Sequence, residues 1–286
     1  MRSLECLDGT RVERLVPAAN GSRHHVFFGV EAGTGIEVVA KVELMDGALE
    51  TERRALAWGA AHGAGMPALR AFTRCALPGD DGEPARCLIS ERVPGSAPDT
   101  PDAWARMGRA LARLAAIPWE GCGLATLTAE TFAAGHHRRA TELGERLAPA
   151  LDQGTDFQKS LVYPLVLTHG DPGGGNYLDD GATVGTLLDW ETAHVAPRGL
   201  DLARAVFIAL IDGRPERAAA VREGYLAEAD WRPTPDELRA WLVVAGVQFA
   251  HWRWEHRDKP RVRPWQDAVD VLARALNDPE RDRAYA

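Results

Sequence analysis

The chain has 286 residues, of which 45% are hydrophobic and 26% charged, and its formal net charge is -8. This length can bury a substantial core, as one large domain or two smaller lobes, and the composition is that of an ordinary folded protein rather than a disordered one. The acidic balance argues against a nucleic-acid partner, because such partners are bound through a basic surface that neutralises phosphates.

The cysteines and the N-terminus indicate the compartment. The four cysteines, at positions 6, 75, 87 and 122, are widely spaced and form no CxxC pair. We therefore expect free thiols rather than a zinc site or a disulfide framework. The first ten residues include three charged side chains and no apolar segment, and the chain has no run of about 18 apolar residues that could span a bilayer. These features predict a cytoplasmic protein with no membrane partner.

The N-terminal third is predicted to form strands and one helix. Residues 26 to 30 and 36 to 44 are β-rich, and the turn-forming residues 33 to 35 separate them. This pattern predicts a β-hairpin. A helix is predicted from near Ala48 to His62, where a glycine ends it.

Two further strands are predicted at residues 68 to 75 and 86 to 91, with turn-forming residues between them. Helical periodicity dominates after the second of these strands. We therefore predict two lobes. A strand-rich N-terminal lobe spans residues 1 to 91, and a larger, mostly helical lobe spans residues 92 to 286.

The helical lobe has clear start signals. Thr100 is a predicted N-cap, with Pro101 at the first helical position. From there, nearly everything is predicted to be helical to about residue 161. The run Thr-Pro-Asp-Glu at residues 234 to 237 predicts a capping box that opens a helix ending near His256.

Residues 165 to 191 interrupt the helical lobe. This segment contains His-Gly-Asp at residues 169 to 171, then Asn176, then a turn, and finally Asp-Trp-Glu at residues 189 to 191. A hairpin is the expected structure, since the turn folds the second strand back along the first. It would bring Asn176 and Asp189 to one edge, beside the loop that presents Asp171.

Two carboxylates and an amide at one place predict a magnesium site. Mg²⁺ prefers oxygen ligands and usually shares its shell with substrate phosphates and water. Phosphoryl transfer also needs a carboxylate that orients the attacking hydroxyl and accepts its proton, and a lysine on the phosphates. The chain contains all four required groups: a carboxylate for the proton, an amide and a second carboxylate for the metal, and a lysine for the phosphates. Asp171 has the position in its loop to face the hydroxyl.

These motifs resemble the aminoglycoside phosphotransferase and choline kinase-like family, whose members are relatives of the protein kinases and phosphorylate small molecules. The resemblance implies an α+β, protein-kinase-like fold with two lobes, and an enzyme that transfers the γ-phosphate of ATP or GTP with Mg²⁺. It also implies that Asp171 is the catalytic base and that Asn176 and Asp189 bind magnesium. His169 would brace the loop.

By the same resemblance, Lys41 pairs with the α- and β-phosphates of the nucleotide. It ends a Val-Val-Ala-Lys run, and the other lysines, Lys159 and Lys259, lie outside the strand-rich lobe. Glu52, on the following helix, resembles the glutamate that holds this lysine in place. Glu50 is the alternative partner, and Glu52 could instead be a solvated helix charge.

The resemblance extends to two further parts of the nucleotide site. The phosphate-covering loop would fall at residues 18 to 22, with Gly21 and Ser22 as expected contacts. That segment has one glycine and no GxGxxG pattern, so a plain turn has equal weight and the choice between ATP and GTP stays open. Residues 89 to 95 resemble the hinge between the lobes, where the backbone at Glu91 and Val93 would bond the purine.

Asp201 lies in a Gly-Leu-Asp-Leu-Ala run and matches a family aspartate that supports the catalytic loop through backbone hydrogen bonds. Only eleven residues separate Asp189 from Asp201. This is too few for the activation loop of a protein kinase, so a polypeptide substrate is disfavoured.

The acceptor is the least determined part of the site. It should lie between the catalytic loop and the helical lobe, because its hydroxyl must meet both Asp171 and the triphosphate. The last long helix carries Trp252 and Glu255, which suit a polar ligand, although an ordinary packed helix explains them at least as well. The histidine pairs at residues 24–25 and 136–137 have no metal-site spacing, so surface or pocket-lining roles are expected.

Three functions remain open. An antibiotic-modifying O-phosphotransferase is predicted first, since the size and the motifs resemble the antibiotic-kinase branch. A metabolic kinase of an alcohol such as choline, homoserine or a sugar is second, and a catalytically inert binding module is third. The expected partner is a small molecule with a hydroxyl group, and the chain is expected to be a monomer or a homodimer.

Overall fold

The structure is a computed structural model that describes residues 3–18, 24–44, 47–77, 83–143, 163–181, 184–259 and 262–277. Its N-terminal part contains strands β1 (Leu4–Cys6), β2 (Arg11–Pro17), β3 (His24–Glu31), β4 (Glu37–Glu43), β5 (Leu69–Ala76) and β6 (Ala85–Glu91), and helix α1 (Ala48–Ala61). The strands form a closed antiparallel barrel in the order β1-β2-β3-β4-β6-β5, because β1 pairs with both β2 and β5.

The elements predicted for residues 26 to 91 are confirmed by β3, β4, α1, β5 and β6. β3 and β4 form the predicted hairpin. In β4, Val38, Ala40 and Val42 are fully buried, whereas Lys41 is partly exposed. Because successive side chains on a strand point to opposite faces, this register directs Lys41 out of the barrel.

Cys6 and Cys75 form a disulfide, which corrects the expectation of four free thiols. β1 and β5 are paired with Cys6 opposite Cys75, and the two Cα atoms are 4.2 Å apart. The two cysteines are 69 residues apart in sequence, and only closure of the barrel brings them together. Cys87 and Cys122 are free and buried. Burial raises the pKa of the Cys87 thiol to about 12.

The C-terminal part is mainly helical. Its helices are α2 (Pro101–Ala115), α3 (Ala129–Leu143), α4 (Leu200–Ile211), α5 (Pro215–Glu228), α6 (Pro235–Glu255) and α7 (Trp265–Asn277). α2 packs along α5, and α6 contacts α3, α4 and α7, so the main core lies between these helices. In the part of the chain that the structure describes, no helix has both the length and the apolar character needed to cross a bilayer. The lobe boundary between residues 91 and 92 stays a prediction.

Both predicted helix starts are confirmed. Thr100 Oγ1 accepts the N–H of Ala103 at 3.2 Å, with Pro101 in the first turn of α2. At the start of α6, Thr234 and Glu237 make the reciprocal hydrogen bonds of a capping box. Each cap satisfies backbone N–H groups that have no partner within the helix.

The prediction that nearly everything from residue 101 to 161 is helical was wrong for the connection between α2 and α3. α2 ends at Ala115, and the connection to α3 includes Gly121 and Gly123 at φ values of 90° and 71°. A positive φ breaks helical geometry, and glycine adopts it at low cost. Residues 144 to 162, the rest of that prediction, lie outside the described residues.

Two small antiparallel sheets interrupt the helices and carry the predicted motifs. β7 (Leu165–Thr168) pairs with β10 (His194–Pro197), and β8 (Tyr177–Leu178) pairs with β9 (Thr186–Leu187). The β8–β9 hairpin confirms the predicted fold-back, although each of its strands has only two residues. The His-Gly-Asp run therefore follows β7, and the Asp-Trp-Glu run follows β9.

We expect reduction of the Cys6–Cys75 disulfide to destabilise the protein. Opening a cross-link between distant positions restores conformational entropy to the unfolded chain, at a cost of about 2–4 kcal/mol. Thermal unfolding followed by circular dichroism, with and without dithiothreitol, would measure the loss. The Cys6→Ser/Cys75→Ser variant should unfold at the lower temperature in both conditions. A wild-type midpoint that does not respond to the reductant would contradict the prediction.

Candidate active site

A cavity of about 440 Å³ lies between the strand barrel and the helical part. Its walls include six of the residues predicted to bind nucleotide and metal: Lys41, Glu52, Glu91, Val93, Asn176 and Asp189. Another cavity, of about 460 Å³, is bordered by Trp190 and has none of the predicted site residues in its walls. The first cavity, which we call the central cleft, is therefore the candidate active site.

Lys41 is the electrostatic centre of the central cleft. Its Nζ lies 2.9 and 2.8 Å from the two carboxylate oxygens of Glu52, and 2.6 Å from Oδ1 of Asp189. Burial disfavours a charged ammonium, but the carboxylates of Glu52 and Asp189 outweigh burial and raise the pKa of Lys41. Lys41 is therefore a protonated cation that joins β4, α1 and the segment after β9.

The structure distinguishes the two glutamates considered as partners of Lys41. Glu52 is buried beside Lys41, whereas Glu50 pairs with Arg53 and Arg54 along α1. Two residues apart on a helix, side chains point roughly 200° apart around the axis. Only one of the two glutamates can therefore face β4.

Asp189 has an unusual backbone conformation. It follows β9 in the left-handed region, at φ 65° and ψ 65°. Aspartate adopts this region more often than most residues, but such a conformation is uncommon and concentrates at functional sites. Burial alone would raise the pKa of Asp189, but the Lys41 ammonium at 2.6 Å outweighs it and lowers that pKa.

His169 is fully buried and connects the two halves of the motif. Its Nδ1 accepts the N–H of Asp171 at 3.2 Å, and its Nε2 lies 2.7 Å from the carbonyl oxygen of Leu188. Since a carbonyl can only accept, Nε2 carries the proton, and the accepting Nδ1 makes the ring neutral. One imidazole thus links the Asp171 loop to the residue before Asp189.

Asp201, at the start of α4, holds the same loop from another side. Its two carboxylate oxygens accept the backbone N–H groups of His169 and Gly170 at 2.6 and 3.0 Å. Gly170 has a φ of 87°, and a Cβ at this position would lie 2.2 Å from the carbonyl oxygen of Thr192. Only glycine fits there, which explains the middle residue of the His-Gly-Asp run.

Asp171 is exposed, and Asn176 fixes the orientation of its side chain. Asn176 Nδ2 donates to Oδ2 and to the backbone carbonyl oxygen of Asp171, both at 3.0 Å. These bonds use the amide nitrogen and leave the amide oxygen for another partner. Asn176 also lines the central cleft together with Asp189.

The predicted hinge residues Glu91 and Val93 line the same cleft. The N–H of Glu91 donates to the carbonyl oxygen of Ala68 at 2.9 Å, so a purine could use only the carbonyl of Glu91. Gly21 and Ser22, the predicted contacts of the phosphate loop, lie outside the described residues. Their roles stay predictions.

Trp252 and Glu255, the predicted acceptor residues, lie near the end of α6. Trp252 is 43% exposed and stacks on His256, with the ring centroids 4.5 Å apart. Glu255 lies 3.3 Å from Nδ1 of the buried His251. Neither residue lines the central cleft, and their role in acceptor binding stays a prediction.

His24 and Glu191 belong to the central cleft, although no specific role was predicted for either. His24, at the start of β3, is 5% exposed, and its Nε2 lies 2.9 Å from Oε2 of Glu191. Both residues line the central cleft, whereas the neighbouring His25 is exposed. The sequence feature that could have indicated the position of His24 is the two-residue period of β3, which places His24 on the same face as Val26.

Arg204 adds a third support to the loop that carries Asp171. One turn after Asp201, its guanidinium donates to the carbonyl oxygen of Gly170 and, at 2.8 and 3.1 Å, to Oε1 of Gln248 on α6. α4 thus supplies both an acceptor and a donor to the loop backbone. No motif predicted this contact, because a helix arginine is usually a solvated charge.

Comparison with known proteins identifies the family. The family model described as APH, phosphotransferase enzyme family, matches residues 15–241. The chain belongs to the phosphotransferase enzyme family. It is accordingly a small-molecule phosphotransferase with a hydroxyl acceptor. No curated protein matches the sequence.

Solved structures share the fold at low sequence identity. The macrolide 2'-phosphotransferase MphH from Brachybacterium faecium is 18% identical, over 93% of this chain and 92% of its own, with a TM-score of 0.61. An ethanolamine kinase from Plasmodium vivax is 13% identical, over 96% and 84%, with a TM-score of 0.65. The aminoglycoside phosphotransferase APH(4)-Ia is 17% identical, over 96% and 95%, with a TM-score of 0.65. These similarities establish the α+β, protein-kinase-like fold with two lobes.

We expect Asp201→Asn to lower the free energy of unfolding by about 1–3 kcal/mol, because an amide has one acceptor oxygen for two buried N–H groups. Urea denaturation of the variant and the wild type would measure the loss. Asp212→Asn is the matched control, since Asp212 is an exposed carboxylate at the other end of α4. Equal stability of the two variants would contradict the supporting role of Asp201.

Proposed function

We propose that this phosphotransferase transfers the γ-phosphate of a nucleoside triphosphate to a hydroxyl group of a small molecule in a magnesium-dependent reaction. One observation carries the proposal: Lys41 contacts Asp189 at 2.6 Å, and Asn176, which lines the same cleft, bonds Asp171 at 3.0 Å. Phosphoryl transfer needs a cation on the phosphates, oxygen ligands for a metal and a carboxylate near the nucleophile. These four residues supply all three.

Lys41 would bind the α- and β-phosphates. Glu52 holds the ammonium through two oxygens, whereas Asp189 contributes one. Asp189 is therefore the partner that would give way when phosphates arrive. The raised pKa of Lys41 supports this role, because the side chain stays charged at neutral pH.

Asn176 and Asp189 would hold magnesium. The donor set fits a hard cation, because Asp189 offers carboxylate oxygens and the hydrogen bonds of Asn176 use only its nitrogen. When bound, the ion neutralises charge that develops on the phosphates. Asn176 would then have two roles, one through each end of its amide.

Asp171 would orient the acceptor and take its proton. The acceptor oxygen forms a bond to the γ-phosphorus, the bond from that phosphorus to the β–γ bridging oxygen breaks, and the hydroxyl proton passes to the carboxylate. The exposure of Asp171 supports this role, because the carboxylate is open to an incoming molecule. Asn176 holds one carboxylate oxygen, and the other is left for the hydroxyl.

ATP or GTP is the donor in this proposal, and the backbone at Glu91 and Val93 would bind the purine. Both residues line the central cleft. A structure of APH(4)-Ia, which shares the fold, holds AMP-PNP together with hygromycin B. We propose the cytoplasm as the place where the protein acts, because nucleoside triphosphates are made there.

An antibiotic is the acceptor that we propose first. Solved structures with this fold include phosphotransferases named for macrolides and aminoglycosides. An ethanolamine kinase with the same fold supports the alternative, a metabolic alcohol such as choline, homoserine or a sugar. Trp252 and Glu255 stay candidate acceptor contacts in either case, in a monomer or a homodimer. The presence of all four reacting groups speaks against an inert binding module.

A coupled assay of ADP or GDP release would identify the acceptor class. The purified chain is incubated with magnesium, either nucleotide, and a panel of antibiotics and small alcohols. Turnover of an antibiotic supports the first proposal, and turnover of metabolites alone overturns it in favour of a metabolic kinase. A protein that releases no nucleoside diphosphate under any condition would be a binding module.

We expect Asp171→Asn to reduce kcat at least about 100-fold with the acceptor found in this way, because the proton loses its acceptor. The affinity for the nucleotide should stay within about twofold of the wild type, since Asp171 does not contact the donor in the proposed complex. Asp180→Asn is the control, because Asp180 is an exposed carboxylate in the neighbouring turn. Full activity of Asp171→Asn would exclude the proposed base.

We expect removal of magnesium by EDTA to abolish transfer, and added Mg²⁺ to restore it. Asp189→Asn should raise the magnesium concentration for half-maximal activity by about tenfold or more, because a charged ligand is replaced by a neutral one. A titration of activity against Mg²⁺ at constant nucleotide would measure the shift. Transfer that proceeds in excess EDTA would refute the metal requirement.

A further inference from the structure

His24 lies at the end of the central cleft that is remote from the hinge. In the barrel, Lys41 pairs with Val26 of β3, and the hinge residue Glu91 pairs with Val38 near the start of β4. Side chains on one face of a strand are spaced by roughly 6.5–7 Å. His24 is two residues from Val26 on the same face of β3. It therefore lies about 6.5–7 Å beyond Lys41, on the side away from the hinge, where the triphosphate would bind.

His24 connects the strand barrel directly to the segment that carries Asp189. Its Nε2 lies 2.9 Å from Oε2 of Glu191, and both side chains are largely buried. The contact between Lys41 and Asp189, at 2.6 Å, joins the same two parts of the molecule. The barrel is thus held to this segment at two neighbouring points.

Nucleotide binding should affect the Lys41–Asp189 contact and the His24–Glu191 contact differently. In the proposed complex, Lys41 contacts the phosphates and Asp189 the metal, so the contact between them is weakened. The contact between His24 and Glu191 can persist, since neither residue is required for those two roles. It would then be the direct connection between the barrel and the segment after β9 in the loaded enzyme.

A second observation points to a ligand beside His24. Its Nδ1 is buried and has no hydrogen-bond partner among the described residues. Buried polar atoms are rarely left without a partner, because the loss of hydration is then uncompensated. His24 also lines the central cleft. Because its Nε2 donates to the Glu191 carboxylate, Nδ1 of the neutral ring is an acceptor, and a hydration water of a bound triphosphate could be the donor it lacks.

We propose that His24 is a positioning residue for the triphosphate. Glu191 holds its Nε2, and the pair keeps the start of β3 against the Asp189 segment while Lys41 and Asp189 exchange partners. His24 affects binding of the phosphates and not binding of the purine, because it lies at the end of the cleft opposite the hinge. The proposal rests on the nucleotide-dependent reaction proposed above.

Isothermal titration calorimetry of the full chain tests this role without knowledge of the acceptor. The probes are AMP-PNP and GMP-PNP with magnesium, and the matching nucleoside, which has no phosphates. His24→Ala should weaken binding of the triphosphate analogue about tenfold, the effect of losing one hydrogen bond near a charged group, and leave nucleoside affinity within about twofold. His25→Ala is the matched control, since it truncates the exposed histidine of the same strand and should change neither affinity.

Further variants examine the pairing with Glu191. In the Glu191→Ala background, His24→Ala should cause less than about a twofold additional loss, because the two residues act as a unit. His24→Gln, whose amide can reach Glu191, should recover part of the affinity. If His24→Ala unfolds, His24→Asn decides the question, since it stays polar but is too short to make the contact.

The outcomes separate the two proposals. A wild-type chain that binds neither triphosphate analogue refutes the proposed function itself. A wild-type chain that binds an analogue, while His24→Ala binds it equally well, overturns only the role of His24. Equal losses for analogue and nucleoside, or fully additive effects of the His24 and Glu191 substitutions, would also overturn it, because they indicate a general change in the cleft.

Discussion

The site depends on one buried cation shared by two carboxylates. Lys41 contacts Glu52 and Asp189, which come from a helix beside the barrel and from a turn 148 residues further along the chain. The three groups carry one positive and two negative charges, so removing Lys41 would leave two carboxylates without a compensating cation in a partly dry cleft, which is costly. The strand register that points Lys41 outward, the helix face of Glu52 and the left-handed turn at Asp189 must therefore all be present together.

The loop that carries Asp171 follows a different principle, in which buried groups hold the backbone and leave the carboxylate open. His169, Asp201 and Arg204 all bond to main-chain atoms of this loop. Their bonds do not use the Asp171 carboxylate. In the proposed reaction, a rigid loop with an exposed carboxylate would combine accurate placement with access for the acceptor.

Much of the site could be predicted from the sequence, because its motifs are local. Asp171 and Asn176 lie in the segment just before the β8–β9 hairpin and Asp189 lies just after it, and the turn before β4 marks the strand of Lys41. The Cys6–Cys75 and His24–Glu191 contacts join residues separated by 69 and 167 positions. They depend on barrel closure and on how the barrel meets the helices, which no local pattern encodes. The helical prediction failed for a different reason, because Gly121 and Gly123 in the connection after α2 are a local signal that the prediction did not use.

The Lys41–Asp189 contact has a consequence for the sequence of ligand binding. While the ammonium contacts Asp189, it compensates part of the negative charge that a free divalent ion would meet, so bare metal has less to gain from the protein alone. In the proposed reaction, the phosphates of the nucleotide would draw the ammonium away, and the metal that they carry would take its place on the carboxylate. Donor and ion would then enter as one preformed complex, and the protein without nucleotide would respond only weakly to the ambient level of divalent cations.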